Sequence, residues 1–286
     1  MEFAISIMVV TVIGIGLIGG SMGLCLREKG LTARVIGVDA NKLFEKRALE
    51  LGIADEILSL EDAVHAADLI IVSVPVTAAT KVVLQVLERV KGQVVIDVGS
   101  TKTDLCRLVD EHPNRGRFVA THPMWGTEYS GPDAATVYAF AGKAVVICDK
   151  EKSDADALET IENIYRTLGM HLLNMDAEHH DIHTAYISHI SHITSFALAN
   201  TVLEKEKEED AIFELASAGF ESTVRLAKSN ADTWVPIFMQ NKENVLDVLN
   251  EHITQLRKFK ASLEKENWDY LRELIEHANE IKRILK

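Results

Sequence analysis

The amino-terminal segment joins an apolar run to a glycine-rich turn. Residues 8–13 are followed by Gly14, Gly16 and Gly19 in the pattern GxGxxG, and a second apolar run ends at Asp39, twenty residues after the last glycine. In a βαβ unit the first glycine permits a tight turn, the second lets the backbone approach a pyrophosphate, and the third lets the helix pack on the sheet. This order of features predicts a dinucleotide-binding fold.

The same segment indicates which cofactor binds. Gly14, Ile15, Gly16, Leu17, Ile18 and Gly19 form a loop that would hold the pyrophosphate at a helix N-terminus, where free N–H groups and the helix dipole favour an anion. Asp39 would accept hydrogen bonds from the adenosine ribose and repel a 2′-phosphate. NAD is therefore the expected cofactor, although Lys42 nearby is a cation that would favour NADP.

Composition excludes several classes of protein. Residues 3–26 carry no charge, but their five glycines would weaken a membrane-spanning helix. A signal peptide needs a basic residue before its apolar run, and no basic residue precedes Arg27. A formal net charge of -13 disfavours nucleic acid or an anionic membrane as a partner. Cys25, Cys106 and Cys148 form neither a CxxC pair nor an even set, so we expect no disulfide framework and a cytoplasmic location.

Apolar runs and helical stretches alternate over the first 177 residues. The runs predict strands at 9–13, 34–38, 69–74, 94–98, 118–121, 144–148 and 171–175. This alternation is typical of a parallel, doubly wound Rossmann-type sheet. Fifteen of the sixteen glycines and four of the five prolines lie before residue 177. We therefore expect an α/β NAD-binding domain at 1–177 and an all-helical domain at 178–286, with a last helix at 263–285.

Polar residues follow three of the predicted strands. Ser73 and Pro75 follow the strand at 69–74, Ser100 follows the next, and His122 follows the strand at 118–121. Ligands of open α/β sheets bind at the carboxyl ends of the strands. These side chains are therefore expected to meet at one crevice; the alternative for His122 is a histidine that only caps a turn.

The helical half is rich in histidine. His179 and His183 have i,i+4 spacing and His189 and His192 have i,i+3 spacing, so both pairs could bind a metal ion. No acidic or cysteine ligand completes a known metal motif, and we expect no metal. Ser188 shares a helix face with His192. Arg225 is a planar donor suited to a carboxylate, or else an ordinary surface arginine.

Six segments together resemble prephenate dehydrogenases, a family that includes arogenate dehydrogenases. Besides the glycine-rich turn, they are DVGSTK at 97–102, HPMWGTEYSG at 122–131, EHHD at 178–181, SHISH at 188–192 and GFESTVRLAKSN at 219–230. The resemblance covers essentially the whole chain. Two positions depart from the family pattern: Ser191 stands where many members have proline, and Ser222 stands where they have an acidic residue.

The resemblance implies oxidative decarboxylation of prephenate with NAD. His122 would be the general base for the ring hydroxyl, with Ser100 orienting it or the substrate and also touching the cofactor. Arg225 and His192 would bind the carboxylates, and Ser188, Thr127, Glu128 and Trp234 would line the pocket. Arogenate dehydrogenase, a 3-hydroxyacid dehydrogenase and a non-catalytic NAD sensor are the alternatives, of which the last would need no convergent His122, Ser100 and Arg225.

A homodimer built through the helical domain is also expected. The segment after residue 177 has more apolar helical surface than one small core needs, including Ile187, Ile190, Ile193, Phe196, Leu198 and a terminal stripe through Ile284. Members of the resembling family dimerise in this way, and two-fold interfaces are the commonest among soluble oligomers. An amphipathic helix that lies on its own domain is the alternative.

Overall fold

The structure is a computed structural model that describes residues 7–207 and 212–284. Its first part is a three-layer α/β unit around one eight-stranded sheet. The strands are β1 (Met8–Ile13), β2 (Thr32–Val38), β3 (Glu56–Ile57), β4 (Leu69–Val72), β5 (Val94–Asp97), β6 (Phe118–Pro123), β7 (Ala144–Cys148) and β8 (His171–Met175). The helices between them are α1 (Leu17–Glu28), α2 (Lys42–Glu50), α3 (Leu60–Ala66), α4 (Val76–Leu87), α5 (Thr103–Val109) and α6 (Ala155–Thr167).

The strand order is β3-β2-β1-β4-β5-β6-β7-β8, so the direction of winding reverses between β1 and β4. Strands β1 to β6 pair in parallel, which confirms the doubly wound sheet. β7 runs antiparallel to β6, and β8 is parallel to β7. The sheet is therefore mostly parallel, with a reversal that the alternation of runs did not predict. The short strand β3 was also not predicted.

Both faces of the sheet are buried, because successive side chains of each strand point to opposite faces. In β4, Leu69 and Ile71 join the cluster that contains Met22 of α1 and Ile161 of α6. Ile70 and Val72 join the opposite cluster with α4 and α5. The near-continuous apolar runs of these strands follow from this burial on two sides.

Beyond β8 the described residues are helical. The elements are α7 (Ala177–Thr184), a π-helical turn (Ala185–His189), α8 (Ile190–Glu206), α9 (Ala218–Val224), α10 (Ala231–Gln240), α11 (Lys242–Glu264) and α12 (Trp268–Ala278). An all-helical second part is confirmed. No helix in the described ranges is long and apolar enough to cross a membrane.

The predicted last helix is divided in the structure. Leu263 belongs to the end of α11, and Glu266 then adopts a positive φ of 52°. The Asn267 side chain accepts a hydrogen bond from the Tyr270 amide and caps the start of α12. The prediction of one helix from 263 was wrong because a capping asparagine opens a new helix there; Leu285 lies outside the described residues.

Candidate active site

The glycine-rich loop lies between β1 and α1, where the winding of the sheet reverses. Gly14 has a φ of +92°, and a Cβ there would lie 2.4 Å from the carbonyl oxygen of Ser73. A Cβ on Gly19 would lie 2.2 Å from the Gly14 carbonyl oxygen, whereas one on Gly16 would meet nothing within 4 Å. The loop is thus closed on its protein side and open at Gly16, which fits a dinucleotide phosphate at the N-terminus of α1.

Asp39 follows β2 and holds this loop in place. Its Oδ2 accepts a hydrogen bond of 2.8 Å from the Ile15 amide, and its Oδ1 accepts one of 2.8 Å from the Asn41 amide. Ser73 and Pro75 lie on the other side of the turn, after β4, and Pro75 is the N-cap of α4. The side chains predicted to bind the cofactor are therefore at one edge of the sheet, with Leu17 and Ile18 in the first turn of α1.

His122 lies on β6, at the same edge. Its Nδ1 is 2.8 Å from Nε2 of His180 on α7, and Nδ1 of His180 is 2.8 Å from Oδ1 of Asp181. Burial is the main cause of the low pKa of His122, which lies well below the usual 6.5, and the neighbouring His180 lowers it further. His122 is therefore neutral near pH 7, as a proton acceptor must be.

Ser100 was expected to orient His122 or the substrate, and the side chain that contacts Nδ1 of His122 in the structure is His180. Among the described residues, no hydrogen bond engages the Ser100 hydroxyl, which is half-buried in the loop after β5. This hydroxyl stays available to a ligand. Because His180 already contacts Nδ1 of His122, a role of Ser100 toward the substrate remains the prediction.

A buried ion pair underlies the loop after β5. The Lys102 ammonium donates to Oδ2 of Asp97, and both side chains are almost fully buried. Asp97 Oδ2 also accepts from the Gly99 amide at 2.9 Å, and the Thr121 hydroxyl donates to the Asp97 carbonyl at 2.6 Å. This network connects the loop that carries Ser100 to the strand that carries His122.

Two aromatic rings of the helical part, those of His192 and Trp234, stack on each other. The ring of His192 stacks on Trp234 with centroids 3.4 Å apart, and Nδ1 of His192 is 3.0 Å from the Ser188 carbonyl oxygen. A carbonyl only accepts, so Nδ1 carries the proton. Burial lowers the pKa of His192, which leaves Nε2 as an acceptor in the free protein. The expected donor role of His192 toward a carboxylate requires a second proton.

The π-helical turn directly precedes the helix that carries His192. It contains Ser188 and ends at His189, whose Nδ1 lies 3.1 Å from the Asn241 amide nitrogen. Burial lowers the pKa of His189 to about 4. Ser191, at the position where many members were expected to have proline, donates from its hydroxyl to the Ile187 carbonyl at 3.0 Å. A serine at this position thus continues the helix without a break.

Arg225 of the helical part contacts Glu128 of the loop after β6. Nη1 of Arg225 is 3.5 Å from Oε2 of Glu128, and the Arg225 side chain is 52% exposed. A long ion pair with an exposed arginine contributes little stability, so the guanidinium is free to exchange partners. Thr127 is exposed beside Glu128. Ser222 is also exposed and adds no charge to this region.

Four residues close to the site were not assigned to it from the sequence: Lys102, His180, Asp181 and His189. His189 was predicted only as a possible metal ligand, paired with His192, and His180 was given no individual role. Within the described residues, no three histidine, cysteine, aspartate or glutamate side chains are grouped to hold a metal ion. The EHHD segment was a signal for His180 and Asp181, but the sequence could not show which of its residues face the sheet.

Comparison with known proteins agrees with this geometry. A sheet with a dinucleotide loop, a histidine at its carboxyl edge and a helical second part defines a class of nicotinamide-dependent dehydrogenases. The prephenate dehydrogenase nucleotide-binding domain matches residues 22–174, and the prephenate dehydrogenase dimerization domain matches residues 176–277. The chain belongs to the prephenate dehydrogenase family of oxidoreductases, which confirms the resemblance.

Similar proteins span nearly the whole chain. A prephenate dehydrogenase of Bacillus subtilis is 32% identical over 90% of this chain and 71% of its own length. A cyclohexadienyl dehydrogenase of Zymomonas mobilis is 30% identical over 97% of this chain and 96% of its own. The structure of Aquifex aeolicus prephenate dehydrogenase in complex with hydroxyphenyl propionate and NAD+ has a TM-score of 0.89 at 29% identity, and covers 98% of this chain and 99% of that one.

Proposed function

We propose that this enzyme oxidatively decarboxylates prephenate to 4-hydroxyphenylpyruvate with NAD. The observation that carries the proposal is His122, a neutral imidazole at the edge of the sheet that also presents the glycine-rich loop. The Bacillus and Aquifex relatives, which are prephenate dehydrogenases by name, support it. The carboxylate of Asp39 at the end of β2 favours NAD over NADP.

In the proposed reaction, His122 accepts the proton of the ring hydroxyl as the carbon bearing it is oxidised. NAD, when bound, supplies the hydride acceptor. Loss of the ring carboxylate as carbon dioxide makes the ring aromatic, so the reaction runs in one direction. The low pKa of His122 keeps the imidazole unprotonated before the reaction begins. Ser100 would contact both the substrate and the cofactor.

The substrate carries two carboxylates, and the chain is acidic overall. We assign their recognition to Arg225, whose contact with Glu128 is long enough to be replaced by a carboxylate of the substrate. Ser188 and His192 would contact the substrate from the helical side, Thr127 would lie at the entrance, and Trp234 would close the apolar side. Binding of an anion would raise the pKa of His192 and convert its Nε2 to a donor.

Arogenate is a second candidate substrate, because it carries an ammonium group in place of the keto group of prephenate. The observation that favours it is Glu128, a mostly buried carboxylate beside Arg225 that could bind this ammonium. The Zymomonas relative is named a cyclohexadienyl dehydrogenase, a name that fits either ring compound.

The test is NADH formation with prephenate and with arogenate, measured side by side in the parent and in His122→Asn. We expect prephenate to be preferred, and turnover of the variant to fall by about a hundredfold or more with little change in substrate affinity. His183→Asn, on an exposed face of α7, is the control and should keep full activity. Turnover of His122→Asn within a few-fold of the parent would remove His122 as the base.

We also propose the assembly and location of the enzyme. Residues 1–177 would form the NAD-binding domain, and residues 178–286 would bind substrate and join two chains as a homodimer. The dimerization domain matched at 176–277 supports the dimer. Cys25, Cys106 and Cys148 are free, buried thiols, which favours the reducing cytoplasm.

A further inference from the structure

Two histidine–carboxylate pairs lie side by side at the start of α7. His179 and Asp176 form an exposed pair, with 2.7 Å between Nδ1 and Oδ2. His180 and Asp181 form a buried pair, with each side chain less than 5% exposed. The proposed reaction assigns no role to the buried pair, although it contacts the proposed base directly. Burying a charged carboxylate is costly, so its surroundings must compensate for the lost hydration.

The carboxylate of Asp181 is held by three donors. Oδ1 accepts from the Lys102 amide at 2.9 Å and from Nδ1 of His180 at 2.8 Å, and Oδ2 accepts from the Thr103 amide at 2.9 Å. Burial opposes ionisation, but the hydrogen bonds from His180 and Thr103 leave the pKa of Asp181 below its usual value. Asp181 is therefore ionised and has no proton to donate.

The ionised state of Asp181 determines which nitrogens of His180 and His122 carry protons. Because Asp181 can only accept, Nδ1 of His180 carries a proton. Burial, the main cause, lowers the pKa of His180, so the ring is neutral near pH 7 and Nε2 has a lone pair. The 2.8 Å contact to this lone pair requires a proton on Nδ1 of His122. Nε2 of His122 is then the unprotonated nitrogen.

We propose that His180 and Asp181 are positioning residues that fix the tautomer of His122, so that its Nε2 is the proton acceptor in the reaction. This inference rests on the proposed role of His122 as the base. An isolated imidazole can carry its proton on either nitrogen, and the wrong choice would present an N–H to the substrate hydroxyl. A histidine oriented by a buried aspartate solves the same problem in serine hydrolases.

The charged groups around this chain of hydrogen bonds keep both histidines neutral. Lys102 and His189 face His122, and a positive charge on either disfavours a second proton there. Lys102 also disfavours protonation of His180, while Asp97 and Asp181 favour it. The ammonium of Lys102 is paired with Asp97 and is fully buried. These charges keep His122 neutral near pH 7, and its hydrogen bond to His180 leaves the lone pair on Nε2.

The test compares two substitutions of equal length. In His180→Gln the side chain still offers an oxygen that can accept from Nδ1 of His122, whereas His180→Met offers only a weak acceptor. We expect the kcat of His180→Met to fall by about a hundredfold, with KM within threefold of the parent. The kcat of His180→Gln should be about tenfold higher than that of His180→Met. His179→Asn, in the exposed pair, is the matched control and should leave kcat and KM unchanged.

A spectroscopic measurement decides the tautomer without turnover. Long-range 1H–15N spectra of the full-length protein labelled at histidine should show Nδ1–H on both His122 and His180, and a shift of His122 toward Nε2–H in His180→Met. A proton on Nε2 of His122 in the parent would overturn the proposal, even if a variant fails to fold. Equal kcat in the Met and Gln variants would also overturn it. If neither prephenate nor arogenate is oxidised, the proposed function fails, and the spectra still report the tautomer.

Discussion

Asp39 combines two roles in one side chain. Each carboxylate oxygen accepts one backbone amide, from Ile15 or from Asn41, and so retains a lone pair for a ribose hydroxyl. A 2′-phosphate would instead bring negative charge against this carboxylate. We expect NAD to be preferred in the parent and the ratio of kcat/KM for NAD over NADP to fall by about tenfold or more in Asp39→Ser.

The control for this prediction is Glu50→Ser, at the far end of α2. Glu50 is a carboxylate on the same βαβ unit, but it pairs with Lys46 and Arg47, and among the described residues no hydrogen bond or ion pair joins it to the glycine-rich loop. Its substitution should leave the cofactor ratio unchanged. Equal efficiency with NAD and NADP in the parent would contradict the role of Asp39.

The segment between β5 and α5 depends on its buried ion pair. Lys102 is fully buried beside Asp97, and removal of one partner would leave the other as an uncompensated charge. We expect Lys102→Met to lower the free energy of unfolding by about 3 to 5 kcal/mol in urea titrations. The double variant Lys102→Met with Asp97→Leu should recover a large part of this loss. A single variant as stable as the parent would show that Asp97 is hydrated or protonated there.

Elements were predictable where one pattern dominates the local sequence. β1, β4 and β5 are buried on two faces, so each is a nearly continuous apolar run that can be located in the sequence. β3 contains only Glu56 and Ile57, and two residues are too few to show the alternation of apolar and polar side chains that marks a strand. The reversal at β7 has a structural reason: residues 124–143 contain no α-helix, and a parallel crossover usually needs one.

The site was predictable only in part, for a different reason. Strand ends gave Ser73, Ser100 and His122, because the carboxyl ends of parallel strands meet at one edge. His180 is 58 residues from His122, and its contact depends on how α7 packs beside α5. Such a pairing is a tertiary property that periodicity does not contain. The segment EHHD identified the region but not which of its histidines is buried.

Acid sensitivity is expected of the whole molecule, since several imidazoles are buried and neutral. Burial lowers the folded-state pKa of His189 from 6.5 to about 4, with Asp181 opposing the shift and His180 and His192 adding to it. Below pH 6.5 the unfolded chain binds a proton that the folded protein does not. The stability contributed by the neutral form is complete above pH 6.5 and is lost as the pH falls toward 4.

This linkage gives a measurable difference between two pH values. When the pH falls from 7.5 to 5, proton uptake by His189 in the unfolded chain should lower the free energy of unfolding by about 2 kcal/mol. Urea titrations at one protein concentration should show a smaller difference in His189→Gln than in the parent. His183→Gln, at an exposed position of α7, should keep the parent difference. An unchanged difference in His189→Gln would mean that the pKa of His189 is the same in the folded and unfolded states.

Few apolar residues of the helical half are fully buried in the described part of the chain. After residue 177, the apolar residues that are buried in the described part are four: Ala185, Ile237, Val245 and Val248. α12 buries none of its residues, and its side chains Trp268 and Ile275 are at least half exposed. Ile187 before α8 and Ile284 near the end are also exposed. Surface of this kind marks an interface, and a second copy of the chain is the partner that the dimerization domain implies.

Light scattering at low micromolar concentration tests this assembly. We expect a mass of about twice the 31.7 kDa of one chain, because paired helical units would cover the apolar faces of α11 and α12. Ile275→Glu places a charge on the exposed face of α12 and should shift the mass toward one chain, whereas Glu276→Gln at the next position should not. A parent mass near 31.7 kDa with activity retained would refute the dimer. A dimer unaffected by Ile275→Glu would move the interface away from α12, to the surface around Ile187.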